Sequence, residues 1–249
     1  MDSATEKKII AMREGGHALA LIRDGLVSYV KIGMTFAEIE AETQRQIKAA
    51  GMVPSFSTVP GYSWATCIMK NDGLCHGIPN QTRVEDGDIL TIDLGLINKG
   101  YHLDTTTTFI VGTSTKEKEY FLEVGRRSLK KAIQKVRSGQ SVYAVSEAME
   151  NVLAEEGMGI VYQLTGHGVG EELHMDPQIP CMALKEDKRV FLRPGQTIAV
   201  ETMYTAGEPH LKLDKDGWTY RTADGSLSGM FEETVLVTEQ GHEILTKAE

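Results

Sequence analysis

The sequence predicts an α+β fold made of a duplicated helix–helix–β-hairpin unit, with pseudo-twofold symmetry and a central antiparallel sheet. Two observations carry this prediction. Helical periodicity and capping signals occupy residues 5–50 and again 114–157, and the text between them, residues 53–111, is strand-like with Gly, Pro and Asn punctuation. The chain also matches itself. "KIGMTFAEIEAETQRQIKAAGM" aligns without a gap to "RSGQSVYAVSEAMENVLAEEGM", pairing Gly33 with Gly139, Ile39 with Val145, Gly51 with Gly157 and Met52 with Met158. Farther along, "EDGDILTID" matches "RPGQTIAVE", pairing Gly87 with Gly195 and Asp93 with Glu201; "LDTTTTFIV" then matches "FEETVLVTE", pairing Asp104 with Glu232. Three matches in order imply two copies, about 1–112 and 113–249. No linker, low-complexity tract or long charge run divides them, so residues 1–249 are expected to form one domain.

The elements follow in order. Residues 5–30 place Ile9, Met12, Leu19, Ile22 and Leu26 at helical spacing. Thr35 and Glu38 form a capping-box pattern opening a second helix to about Ala50, and Gly51 is a natural residue just past its end. Ser114 and Glu117 repeat the capping-box pattern before a third helix, and Ser141 opens a fourth that ends near "EEGM". In the hairpin "TIDLGLINKGYHLDTTTTFIVG", a turn at Asn98 and Lys99 would set Asp93 directly opposite Asp104, and a bulge at Gly100 would shift that register by one. The run "TTTT" at 105–108 reads simply as strand.

Composition narrows the function. A net charge of −9 argues against binding nucleic acid or an anionic membrane surface, both of which favour basic proteins. Cys67, Cys75 and Cys181 are odd in number and form no C-x-x-C pair, so they read as reduced thiols in a cytoplasmic protein. No targeting segment or membrane-length apolar run is present. H-E-x-x-H, G-x-S-x-G and P-loop patterns are absent, and "GHGVGEE" fails the dinucleotide fingerprint.

The acids are the informative feature. Opposed strand residues have Cβ atoms about 5 Å apart, where like charges destabilise a pair, and the strand "ILTIDLGL" is apolar enough to bury them. A shared proton, basic side chains or bound cations would relieve the repulsion. A proton shared by an aspartate dyad leaves Glu201 and Glu232 idle, and basic neighbours are scarce. Four converging carboxylates and an imidazole suit two divalent cations better, with manganese, iron, cobalt or zinc favoured by oxygen and nitrogen ligands. His76 in "CHGIP", and His167 and His174 in "TGHGVGEELHMDP", are the candidate histidines because flanking glycines let the backbone approach a ligand. His17, His102, His210 and His242 read as structural.

With these residues in place, the sequence resembles the type I methionine aminopeptidases, whose fold is the duplicated "pita-bread". The likeness runs from about residue 5 to 247 and includes "CHGIP", "GDILTIDLG", "GYHLDTTTTFIVG", "TGHGVG", the Glu201 strand and "DGWTYRTADGSLS" leading into "FEET". It implies that Asp93, Asp104, His167, Glu201 and Glu232 hold two metals, with Asp104 and Glu232 bridging, and that a metal-bridged water or hydroxide attacks the peptide carbonyl. It further implies Glu201 as proton shuttle, His174 as oxyanion stabiliser and His76 as the contact to the substrate amide nitrogen. Tyr62, Cys67, His76, His174 and Trp218 match positions lining the methionine pocket. The implied activity is removal of the initiator methionine ahead of a small second residue, from peptides and nascent chains at the ribosome, by a monomer resembling the short bacterial form. Glu233 stands where histidine is usual, Met175 where an acid is usual and Thr202 where proline is usual; Phe56 and Leu173 also depart from common pocket residues. The competing readings are an Xaa-Pro aminopeptidase or prolidase of the same fold, which usually carries an extra N-terminal domain, and a non-catalytic pita-bread binding module.

Overall fold

The computed structural model describes residues 3–248. Its helices are α1 (Ser3–Tyr29), α2 (Phe36–Ala49), α3 (Lys116–Ile133) and α4 (Val142–Glu155). The strands of the first half are β1 (Val53–Pro54), β2 (Thr66–Lys70), β3 (Gly73–Cys75), β4 (Ile89–Asn98) and β5 (Tyr101–Ile110). Those of the second are β6 (Gly159–Ile160), β7 (Thr165–Gly168), β8 (Met175–Pro180), β9 (Thr197–Thr205), β10 (Leu211–Leu213), β11 (Tyr220–Thr222), β12 (Ser228–Val237) and β13 (His242–Ile244).

One ten-stranded antiparallel sheet runs β1-β4-β5-β12-β9-β7-β8, with β2 added to β4, β6 to β9 and β13 to β12; β10, β11 and β3 form a small second sheet. The halves meet where β5 pairs with β12. The helices cover one face. Met12, Leu19, Leu26 and Ile39 of α1 and α2 pack on Ile92 and Leu94 of β4. Val124, Leu129 and Met149 of α3 and α4 pack on Val200 of β9 and Phe231 and Val235 of β12. Burial of each such side chain contributes about 1.5–3 kcal/mol. Strand alternation then sends Asp93, Glu201 and Glu232 to the opposite face.

Local signals read from the sequence have physical counterparts. Thr35 accepts from the Glu38 N–H and the Glu38 carboxylate accepts from the Thr35 N–H, completing the capping box. The matched glycines share left-handed backbone: φ is 90° and 75° at Gly33 and Gly139, 74° and 66° at Gly51 and Gly157, and 82° and 83° at Gly87 and Gly195. On α1, a Cβ at Gly16 would lie 2.3 Å from the Leu245 carbonyl oxygen, so glycine there lets the helix rest directly on the chain's C-terminal segment.

Two expectations are corrected. The third helix is capped by Thr115, whose hydroxyl accepts from the Lys118 N–H, rather than by Ser114. The hairpin turns at Lys99 and Gly100, both with positive φ (51° and 88°), as a two-residue type I′ turn requires. Asn98 therefore pairs with Tyr101, Asp93 with Thr106 and Asp104 with Gly95. Asp93 and Asp104 are diagonal rather than opposed. A shift of two residues keeps both on the same face, since strand side chains alternate with period two.

Candidate metal centre

A single row of side chains crosses the centre of the sheet. Asp93 on β4 pairs with Thr106 on β5, Thr106 with Glu232 on β12, and Glu232 with Glu201 on β9. Matched threonines of the two halves each reach across the seam to the other half's acid residue, Thr106 to its side chain and Thr234 to its main chain. Thr106 Oγ1 lies 2.8 Å from Glu232 Oε2. Thr234 Oγ1 donates to the Asp104 carbonyl at 2.8 Å and accepts from the Asp104 N–H at 3.1 Å. The run "TTTT" is thus more than strand. Thr105 donates to the Glu232 carbonyl and Thr108 to that of Met230, so the threonine hydroxyls stitch the two copies together. The parallel texts Asp104-Thr105-Thr106 and Glu232-Glu233-Thr234 are the sequence signal that reveals this role.

Asp93, Asp104, Glu201 and Glu232 are each no more than 5% exposed. Among the described residues, no lysine or arginine lines the cavity that holds them. Burial pushes the Asp93 carboxyl up to about 7, and raises those of Asp104, Glu201 and Glu232 well above the usual carboxylate range, with neighbouring acids adding to the effect in these three. Thr106 Oγ1 lies 2.8 Å from both Asp93 Oδ1 and Glu232 Oε2. A hydroxyl has one proton, so it satisfies one carboxylate as donor and leaves the other to carry its own.

The donor set fits divalent cations. Asp104 Oδ1 and Glu232 Oε1 are buried without any hydrogen-bond partner, and such oxygens are costly unless something binds them. Ligand atoms of Asp104, His167 and Glu232 lie within 4.8 Å of one another. His167 Nδ1 sits 2.9 Å from the Gly168 carbonyl, which fixes the proton on that nitrogen and leaves the Nε2 lone pair free. Nε2 faces Asp104 Oδ2 at 3.9 Å and Glu201 Oε1 at 4.0 Å. Burial lowers the His167 pKa to about 4, so its imidazole is neutral and able to ligate.

All ten residues singled out from the sequence line one cavity of about 560 Å³: Tyr62, Cys67, His76, Asp93, Asp104, His167, His174, Glu201, Trp218 and Glu232. Glu40 of α2 accepts from the N–H groups of Ala65 and Thr66, anchoring the start of β2, and β2 sets Cys67 opposite Asp93. Tyr62 stands edge-on to Trp218 with ring centroids 5.1 Å apart and donates to the Thr66 carbonyl at 2.8 Å. With Phe56 and Leu173 these form an apolar compartment beside the acids. His76 occupies left-handed backbone, φ 56°, which aims its ring into the cavity. His174 packs edge-on to His167 at 4.6 Å. Burial lowers the pKa of both His76 and His174.

His102 bonds Ser55 at 2.7 Å outside the cavity. Of the departures, Phe56 and Leu173 line the cavity, whereas Thr202, Met175 and Glu233 do not. Thr202 faces α3, 3.4 Å from Ser128 Oγ. Glu233 pairs with Arg23 on the helix side of β12, where burial raises its pKa against the pull of the guanidinium.

The description of metallopeptidase family M24 matches residues 10–239. Methionine aminopeptidase 1 of Bacillus subtilis is 37% identical over 243 residues, covering 98% of both chains. The chain belongs to metallopeptidase family M24. The methionine aminopeptidase of Thermotoga maritima shares the fold with a TM-score of 0.93, at 35% identity over 97% of each chain. Prolidase from Pyrococcus furiosus, at 24% identity and a TM-score of 0.78, shares the fold alone; the match covers 98% of this chain and 64% of that one. The M24 chain described here is accordingly a pita-bread metallopeptidase, a hydrolase dependent on divalent metal. Among the described residues, no helix is long and apolar enough to cross a membrane.

Proposed function

We propose that this M24 enzyme removes the N-terminal methionine from peptides and nascent chains, ahead of a small second residue. One observation carries the reading: ligand atoms of Asp104, His167 and Glu232 lie within 4.8 Å of one another, with one oxygen of each carboxylate buried and partnerless, beside the compartment formed by Tyr62, Cys67 and Trp218. That compartment suits an unbranched thioether side chain, which adapts to aromatic walls.

Asp93, Asp104, His167, Glu201 and Glu232 would hold two divalent ions. Ions there supply the Lewis acidity that lets water attack a peptide carbonyl at neutral pH. Glu201 takes up the proton of the attacking water and passes it to the leaving amine, a general-base role suited to a carboxylate that lines the cavity. His174 donates its ring N–H to the developing oxyanion, and His76 contacts the scissile amide nitrogen. Both rings are held neutral at pH 7 by their lowered pKa values, so each can donate without bringing a positive charge beside the metals.

The test is hydrolysis of Met-Ala-Ser and Ala-Pro-Ala by metal-stripped protein titrated with manganese and with cobalt, with bound metal counted per chain. Metal-dependent release of methionine alone is expected. Cleavage of Ala-Pro-Ala instead would assign a proline-directed peptidase, and bound metal without cleavage of either peptide would leave a binding module.

A further inference from the structure

We propose that Arg23 is a positioning residue for the metal centre, gripping from the rear the two strand segments that carry Asp104 and Glu232; this rests on the metal-dependent reading above. Asp104-Thr105-Thr106 and Glu232-Glu233-Thr234 are counterparts in the two halves. Asp104 and Glu232 face the cavity, while their neighbours Thr105 and Glu233 face the helices. One nitrogen of α1, Arg23 Nη1, reaches both neighbours. It donates to Thr105 Oγ1 at 2.8 Å and lies 3.0 Å from each carboxylate oxygen of Glu233.

The grip reaches the ligand residue itself. Thr105 Oγ1, accepting from Arg23, donates in turn to the main-chain carbonyl of Glu232 at 2.9 Å. Arg23 therefore restrains the Glu232 carbonyl through Thr105 and the next residue through its carboxylate. Thr246 Oγ1 donates to that same carboxylate, and Arg23 Nε donates to Asp24 at 2.9 Å, which sets the plane of the guanidinium. The side chains of Arg23 and Glu233 are only 12% and 20% exposed, so the pair is held in one geometry rather than loosely solvated.

Such a clamp has a job at this seam. β5 and β12 pair through Glu232 and Thr106, whereas β12 and β9 pair along most of their length. With little main-chain ladder across the seam, side-chain bonds set the spacing of Asp104 and Glu232. A metal constellation tolerates displacements of about 0.5 Å, and loss of a group that orients ligands weakens metal binding by about 10–100-fold. Arg23 and Glu233 do not line the cavity, and their effect reaches the reaction through Thr105 and the Glu232 backbone.

The experiment uses the full chain with two variants. Arg23→Lys keeps the charge and loses the planar fork. The double variant Arg23→Leu/Glu233→Leu removes the pair without stranding a buried charge. Cobalt affinity and the visible spectrum of the cobalt-loaded protein are measured beside kcat and KM for Met-Ala-Ser. Both variants are expected to fold, bind cobalt about 10-fold more weakly with a shifted spectrum, and lose about 10-fold in kcat with little change in KM. Wild-type cobalt affinity and spectrum in a folded variant would overturn the assignment; if Arg23→Lys fails to fold, the double variant decides. Wild-type protein that binds cobalt but releases no methionine defeats the peptidase reading, while the cobalt titrations still judge Arg23. Wild-type protein that binds no cobalt defeats both.

Discussion

Asp104 has one buried oxygen with no hydrogen-bond partner, so its worth to the site and its worth to the fold have opposite signs. Replacing it by asparagine removes a ligand and also one of four crowded buried acids. Asp104→Asn is therefore expected to lower turnover of Met-Ala-Ser by at least about 100-fold and weaken manganese binding by at least about 10-fold, while the metal-stripped variant melts no lower than wild type. Normal turnover in that folded variant would sink the dimetal mechanism. Thr106 makes a different demand, because its hydroxyl lies between Asp93 and Glu232 at 2.8 Å from each. Thr106→Val leaves both carboxyls without that partner and is expected to cost about 1–3 kcal/mol of stability and about 10-fold in metal affinity. Thr106→Ser, which keeps the hydroxyl, should restore most of both. Denaturant unfolding and metal titration of the two variants decide it, and equal behaviour of valine and serine would remove Thr106 from the site.

Among elements, α1 shows how one helix treats its glycines differently. Gly16 sits where a Cβ would meet the Leu245 carbonyl at 2.3 Å, and backbone cannot swing aside; Gly16→Ala is expected to destabilise by about 1–3 kcal/mol. Gly25 is exposed, and a methyl added there would meet only the tip of Gln46 within 4 Å. Gly25→Ala should stabilise by about 0.5–1 kcal/mol through helix propensity. Denaturant midpoints of the two variants moving in the same direction would refute this packing account. The contrast also marks what a sequence exposes. Helical spacing shows that Ile9, Met12, Leu19, Ile22 and Leu26 face inward, because periodicity is local. It cannot separate Gly16 from Gly25, because Leu245 is remote in the chain. The same reason hides Arg23, whose partners Thr105 and Glu233 lie in other elements. The hairpin register differs from the expected one because its turn sits one residue later, yet the pairing of acids by repeat still finds the right face. The four acids and the three histidines are legible because the repeat and the glycine-rich histidine segments leave marks in the text, whereas Tyr62, Cys67 and Trp218 are reached only through the family resemblance. Thr106 escapes a reading of the strand alone, since a threonine run looks like any other strand, and only its repeat match to Thr234 marks it.

For the whole molecule, the acids lie on the seam between halves, so their protonation is part of the folding equilibrium. Burial pushes Asp93 up to about 7 and holds Asp104, Glu201 and Glu232 above the usual range, whereas the unfolded chain titrates them near about 4. The metal-free folded state therefore binds more protons than the unfolded state across that window. The acids' contribution to stability is therefore full below pH of about 4 and is lost as pH rises, through about 7 for Asp93 and beyond. His167, lowered to about 4, opposes the trend only between its folded value and about 6.5, one group against four. Divalent metal reverses the balance, because it binds the deprotonated ligands and releases their protons. Metal-stripped protein is expected to melt progressively lower from pH 6 to 9, and manganese at 100 times its Kd should restore about 2.7 kcal/mol. At fixed total manganese that increment should widen with pH. Surface repulsion in a chain of net charge −9 also grows in this range, so Asp104→Asn is the control: with one buried acid fewer, its metal-free midpoint should fall less steeply. Thermal unfolding of both proteins with chelator and with manganese, at each pH, separates the two causes. Parallel slopes would assign the loss to the surface, and a shallower slope in the variant would assign it to the acids that the metals hold.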